Sequence, residues 1–324
     1  MLQKDRIIKS GICVGLTAAL LLGAIPSRGA HTYAGTGLVL KVNAVRKKLV
    51  VSMQEIPGYM EAMVMPLEVR QARELQGLRP GVMVEFTLVV SQKSSYAENI
   101  RVRPFESLEN DPLNAGRLTL LEQTLAKSST SEAMVEIGQR VPDFTLIDQN
   151  RRRVALAEFA GKVVVVDFVY TRCPLPNFCF RLSSNFAQIQ KRFAHQMGHD
   201  LILLTVTLDA VHDHPEELTQ YASIWKANPE AWHFLTGSGP EVKKVTGMFG
   251  VGYWPDEGTM IHSLHTAVIN RQGELVANLE GNTFTAKQLG DLVETVLNRG
   301  RDSSEIRSLD VPPRSLANTR RAQE

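Results

Sequence analysis

The rhythm of apolar and polar positions changes twice along the chain. From about residue 31 to 104, the short runs "GTGLVLKVNAV", "KLVVSM", "VMVEFTLVV" and "YAENIRV" alternate roughly every second residue, with Gly and Pro between them. Strands of this length and spacing predict a small closed or nearly closed, OB-like β-barrel, and "GLRPGV" (77–82) predicts a turn at Pro80 and Gly81. Between 105 and 136 the pattern loosens. "GRLTLLEQTLAK" predicts one short helix there, and "SSTSEA" a polar linker.

From residue 137 the rhythm becomes one of alternating strands and helices. "DFTLIDQNRRRVAL" predicts a strand, a polar turn and a second strand, while "KVVVVDFVY" (162–170) and "LILLTVTLD" (201–209) are apolar runs suited to strands covered on both faces. Leu182, Phe186, Ile189 and Phe193 recur at helical spacing after Cys179. "DHPEELTQYASIW" predicts a helix with Asp213 as its N-cap, Pro215 in its first turn and Glu216 completing a capping box. Trp225 and Trp232 fall on or near that helix, as core residues. "HTAVINRQGELVANLEG" predicts a hairpin, and a last helix is expected from Thr285 to about Gly300. The fold class is therefore an α/β domain with a mixed sheet over 137–300, preceded by the barrel. The tail 301–324 is expected to be disordered.

Residues 1–29 change the picture of where this protein works. A basic start, "MLQKDRIIKS", precedes the uncharged apolar stretch "GICVGLTAALLLGAIP", whose length suits a signal-peptide core better than a full bilayer span; the mediocre cleavage site Ser27-Arg28-Gly29 leaves an uncleaved membrane anchor as the alternative. The mature chain is thus expected in an oxidising, extracytoplasmic space, the periplasm, where thiols can cycle or hold metal. Balanced charge, +2 overall, gives no electrostatic footprint for nucleic acid. Three cysteines in 324 residues are too few for a disulfide scaffold, and Cys13 belongs to the export segment.

That leaves Cys173 and Cys179 in "TRCPLPNFCF", with five residues between them, between the end of a buried strand and the start of a helix. Active sites of open α/β sheets collect at such strand ends, and a helix amino terminus favours thiolate. Pro174 and Pro176 stiffen the loop. Its span suits either a disulfide or two sulfurs about a metal, and spacing does not choose between them. His262, in "GTMIHSLHTAVIN", is placed where a loop enters the hairpin, on the face of Leu264 and Thr266, with His265 on the other face. Two thiolates and one imidazole suit copper in either oxidation state.

Residues 137–298 resemble the Sco/SenC family of thioredoxin-fold copper proteins through "GQRVPDFTLIDQNRRRV", "GKVVVVDFVYTRCPLPNFCFRLS", "VTLDAVHDHPEEL" and "MIHSLHTAVINRQGELV". The resemblance implies a thioredoxin-like fold and Cys173, Cys179 and His262 as copper ligands, with Asp209 at a further acidic position near the site. It also implies delivery of copper to the copper-centre subunit of cytochrome c oxidase or to another copper or thiol protein. The alternative is a thiol–disulfide oxidoreductase using Cys173 and Cys179 on a partner's cysteines. Two departures stand out: the family's usual gap between the cysteines is three residues, and Phe180 replaces its usual proline.

The barrel carries its own candidate chemistry. "SMQEIPGYMEAMVMPLEV" holds Met53, Met60, Met63 and Met65, and thioether sulfur selects Cu(I), although methionine also fills irregular cores. The stretch resembles the CusF-like copper-binding domain. Met63 and Met65 match its paired methionines, Met53 falls where that family has histidine, and Met60 where it has tryptophan. Elsewhere, His212 and His214 flanking Asp213 are expected to face solvent, and Asp167 inside a buried strand is a costly carboxylate without an assigned role.

Overall fold

A computed structural model describes residues 30–91, 94–103, 134–256 and 259–309. The export segment expected at 1–29, the helix expected at 116–127, most of the expected linker and the last residues of the tail lie outside these. Among the described residues no helix is long and apolar enough to cross a membrane.

Five strands form a closed barrel in the order β1 (His31–Asn43), β2 (Lys48–Met53), β3 (Val64–Val69), β5 (Ser95–Val102) and β4 (Met83–Val90). A parallel pairing of β3 with β5 closes it. The alternation read in the sequence sorts the β1 side chains into two cores. Val39 points into the barrel, whereas Leu38 and Leu40 join the core of the following domain. Gly81, at φ +90, makes the turn before β4, where a Cβ would lie 2.9 Å from that of Ala277 on the other domain. Only glycine fits both demands.

The second domain is a seven-stranded mixed sheet in the order β14-β13-β8-β9-β10-β6-β7. Its centre is the parallel trio β8 (Val163–Val169), β9 (Leu201–Thr207) and β10 (Trp232–Thr236), every residue of which is buried. Antiparallel β13 (His265–Ile269) and β14 (Leu275–Glu280) extend one edge, and β6 (Thr145–Asp148) and β7 (Arg153–Ala155) the other. Helix α1 (Cys179–Arg192) buries Leu182, Phe186 and Ile189, with Phe186 5.9 Å from Trp232. Helices α2 (Pro215–Ile224) and α3 (Gly239–Met248) connect the strands, and α4 (Ala286–Leu309) closes the chain. The α/β class and the small barrel expected from the sequence are both present.

Four local expectations are corrected. Trp232 is core, but it opens β10 rather than riding the helix after Pro215. That helix is capped at His214, whose backbone N–H donates to Glu217 Oε2 at 3.2 Å, so neither Asp213 nor Glu216 forms the cap. The last helix runs past Gly300 to Leu309, into the segment expected to lack structure. His262 ends a strand of its own, β12 (Thr259–His262), paired with β11 (Tyr253–Asp256).

Barrel and α/β domain are joined by a polar latch as well as by Leu38, Leu40 and Met83. Asp291 on α4 is buried; its Oδ2 accepts from Ser52 Oγ at 2.7 Å and from Lys287 Nζ at 2.8 Å, while Oδ1 meets Arg192 at 2.8 Å. Gln288 Nε2 donates to Ser52 O at 3.0 Å. Removing the shared acceptor strands the buried Ser52 hydroxyl and takes one partner from each of the two cations, so Asp291→Ala should lower unfolding stability by about 1–3 kcal/mol. A urea midpoint equal to that of the parent protein would rule out a stabilising latch.

Candidate metal centre

The carboxyl ends of β8 and β9 make the floor of the site. Val169 pairs with Thr207, and Leu208 N–H donates to Val169 O at 2.8 Å. Beyond β8 the chain turns at once, with Cys173 N–H on Tyr170 O at 3.3 Å, crosses Pro174 to Phe178, and enters α1 at Cys179. Phe178 N–H donates to Leu175 O, and the Asn282 side chain holds Asn177 O. The result is one partly exposed cysteine, Cys173, and one buried one, Cys179, both reduced.

β12 brings the imidazole. His262 is buried, with Nε2 3.5 Å from Cys179 Sγ and Nδ1 2.9 Å from Ser263 O. A carbonyl can only accept, so Nδ1 carries the proton and the Nε2 lone pair faces the sulfur. Ser263 is itself fixed, its N–H on Gly252 O at 2.9 Å and its Oγ accepting from Gly252 N–H at 3.0 Å. The Tyr170 ring meets the His262 ring edge-on at 5.7 Å, and its hydroxyl accepts from Met260 N–H at 3.4 Å. Among the described residues no three His, Cys, Asp or Glu side chains are drawn tightly enough to enclose an ion. Cys179 and His262 are in contact, with Cys173 on the loop beside them.

The two thiols are electrostatically unequal. Hydrogen bonding from the Cys179 thiol holds Cys173 well below the ordinary thiol range against the effect of partial burial. Burial pushes Cys179 well above it, and the neighbouring Cys173 charge adds to this. The favourable field of a helix amino terminus, expected for both sulfurs, is outweighed at Cys179 by the cost of a buried anion.

Around the cysteines the structure assembles groups that the sequence reading used differently or passed over. Asp213, expected as a cap, is fully buried and accepts three hydrogen bonds: from Thr171 N–H (3.0 Å), Thr171 Oγ1 (2.5 Å) and Thr207 Oγ1 (2.5 Å). Asp209 is bound by Arg172 at 2.7 Å and by His212 Nδ1 at 2.8 Å. Burial opposes its charge, but the hydrogen bonds from Arg172 and then His212 keep its carboxyl below the usual range. Asp209 thus steadies the residue next to Cys173, while His212 is exposed yet engaged. The four-residue interval between Asp209 and Asp213, just beyond a buried strand, was the available signal. Phe180 is exposed and packs on Trp225 at 4.7 Å. His265 is buried and tied to Asn278 at 3.2 Å.

In the barrel, Val51 pairs with Met65 and Ser52 with Val64, and Met53 N–H donates to Met63 O at 2.9 Å. This register sets Met53 directly across from Met63, with Met65 next along the same face. Met53 is fully buried in the barrel core, Met60 and Met65 pack partly against it, and Met63 is 49% exposed. Tyr33 and Tyr59 stack at 3.9 Å, pinning the loop between Met53 and Met63 to β1.

Residues 134–298 match the model of the SCO1/SenC family, and residues 32–101 that of the copper binding periplasmic protein CusF. An SCO1 protein homolog of Bacillus subtilis is 26% identical over 101 residues, which is 31% of this chain and 51% of that protein. The chain therefore spans about half the length of that relative. A SCO2-like protein of Rickettsia typhi is 31% identical over 151 residues, 44% of this chain and 69% of the other. Among solved structures, a SCO1/SenC family lipoprotein from Bacillus anthracis superposes with a TM-score of 0.45 at 22% identity, covering 51% of this chain and 99% of that one.

Proposed function

This chain belongs to the SCO1/SenC family, and we propose on that premise that it is an extracytoplasmic copper metallochaperone. Copper is its cargo, held by Cys173, Cys179 and His262 and passed to a partner by ligand exchange. The partner proposed is the copper-bearing subunit of cytochrome c oxidase. The observation that carries this reading is the meeting of Cys179 Sγ and His262 Nε2 at 3.5 Å across 83 residues of sequence, with the ring nitrogen free to donate its lone pair. Soft thiolates and a neutral imidazole form a donor set that accepts both Cu(I) and Cu(II), and an ion arriving there would replace the thiol proton of Cys179. Cys173, partly exposed and readily ionised, is the ligand that an incoming partner reaches first. The barrel is proposed as a second, thioether station for Cu(I) at Met53, Met63 and Met65, supported by its match to the CusF model. Export and periplasmic residence, with residues 1–29 as signal or anchor, complete the proposal.

The unequal thiols favour a second reading, a dithiol reductant. The Cys173 thiolate would attack a partner's disulfide, forming a mixed disulfide and releasing one partner thiolate. Cys179 would then attack the Cys173 sulfur and release the second, its proton passing to the leaving sulfur. Two electrons move to the partner, and a Cys173–Cys179 disulfide remains. His262→Ala separates the readings. If copper is the function, Cu(I) affinity in the reduced protein should fall at least about tenfold, while exchange with a small disulfide changes little. X-ray absorption of the Cu(I)-loaded parent should report sulfur and nitrogen neighbours; a nitrogen neighbour retained after the substitution, with undiminished affinity, would remove His262 from the ligand set.

A further inference from the structure

We propose that Asp213 is a positioning residue for the cysteine loop, supplying across the sheet the constraint that the loop's own length does not. The proposal rests on Cys173 and Cys179 acting as a pair, as both readings above require. Five residues separate the sulfurs, and two of the loop's fixed points, the Leu175–Phe178 turn and the Asn282 contact, lie on its α1 side. The Cys173 side is held from elsewhere. Asp213 binds the backbone and the hydroxyl of Thr171, two residues before Cys173, and with the same carboxylate binds Thr207 at the end of β9. Its own N–H donates to Asp209 O at 2.8 Å, and Thr207 Oγ1 accepts from Asp209 N–H at 3.0 Å. One buried carboxylate thus ties the last residue of β9, the loop after it and the approach to Cys173 into a single unit. The residue cannot serve as a helix cap at the same time, because both of its oxygens are turned inward.

A loop released at one end samples more positions, so Cys173 spends less time within reach of Cys179. The intramolecular disulfide then loses stability relative to the open dithiol, and a site needing both sulfurs loses affinity. The arrangement also predicts which atoms matter. Serine at position 171 keeps every donor, whereas valine keeps the backbone N–H and loses the hydroxyl.

The test uses the full chain, copper-free, equilibrated with glutathione and glutathione disulfide. One glutathione disulfide oxidises the dithiol to the Cys173–Cys179 disulfide and yields two glutathione thiols. Asp213→Ala should shift this equilibrium about tenfold toward the dithiol, equivalent to about 30 mV. Thr171→Val should shift it in the same direction by less, and Thr171→Ser should match the parent. Thermal midpoints measured alongside separate positioning from general damage. Lower midpoints with an unshifted equilibrium in both Asp213→Ala and Thr171→Val overturn the proposal. If Asp213→Ala does not fold, Thr171→Val against Thr171→Ser decides it alone, and equal values for those two overturn it. Because the readout needs no copper, failure of the metallochaperone reading and failure of this one are told apart.

Discussion

Replacing Cys173 and Cys179 together by serine should lower the Cu(I) affinity of the α/β domain at least about a hundredfold. Loss of a group that merely orients a ligand typically costs about 10–100-fold in metal affinity, and here two direct sulfur donors give way to hydroxyls, which are harder and stay protonated at neutral pH. His262 then offers one nitrogen and no neighbouring anion. The substitutions are nearly isosteric. Cys179 opens α1 and is buried, so a thermal midpoint measured alongside shows whether the fold survives and the loss can be read as loss of ligands. The measurement is a competition titration of the reduced protein against a Cu(I) chelator. On the two-site proposal the parent takes up two equivalents, and the serine variant keeps the one assigned to the barrel thioethers. A variant that still binds two equivalents with parental affinity would end the assignment of copper to the cysteine pair.

The α/β order was legible in the sequence because buried parallel strands announce themselves: "VVVVDFV" and "LILLTVT" have no solvent face to encode. The barrel was legible for the opposite reason, since its strands alternate. β10 was missed because "WHFLT" is short, follows Asn, Pro and Glu, and contains a histidine that reads as polar although His233 is buried. The cysteine pair could be located from its strand-end position. Its asymmetry could not, because burial of Cys179 depends on α1 settling onto the sheet. His262 was nominated by family resemblance more than by pattern. Its approach to Cys179 comes from the β11–β12 ribbon, whose alternation is too brief to stand out. Asp213 is the instructive failure. An acidic residue two before a helical proline satisfies the local rule for a cap, and nothing local reveals that two threonines, 6 and 42 residues away, claim both of its oxygens. Local propensity lost to a long-range hydrogen-bond network.

Asp167→Asn should make the protein more stable at pH 8 by about 2–4 kcal/mol and leave it nearly unchanged at pH 4. Asp167 lies in the middle of β8, between Thr205 of β9 and Thr266 of β13, and is fully buried. Among the described residues neither of its oxygens has a hydrogen-bond partner within bonding geometry, nor does Thr266 Oγ1. Burial raises its pKa from 3.8 to about 7, against a smaller opposing pull from Thr205. Below pH 3.8 the carboxyl is neutral in both the folded and unfolded chain and costs little. As the pH climbs from there toward 7, the unfolded chain gives up its proton while the folded one keeps it, so stability falls with pH across that window. About three pH units separate the two values, at about 1.36 kcal/mol each, which caps the penalty near 4 kcal/mol. Asparagine has the same shape and does not ionise in this range. The slope should therefore vanish with the substitution. Urea unfolding of the reduced, copper-free protein at the two pH values measures it, and a parental pH dependence retained by the asparagine variant would show that some other buried group sets the slope. A carboxylate that weakens its own strand, six residues before Cys173, is a cost that selection for stability alone does not account for.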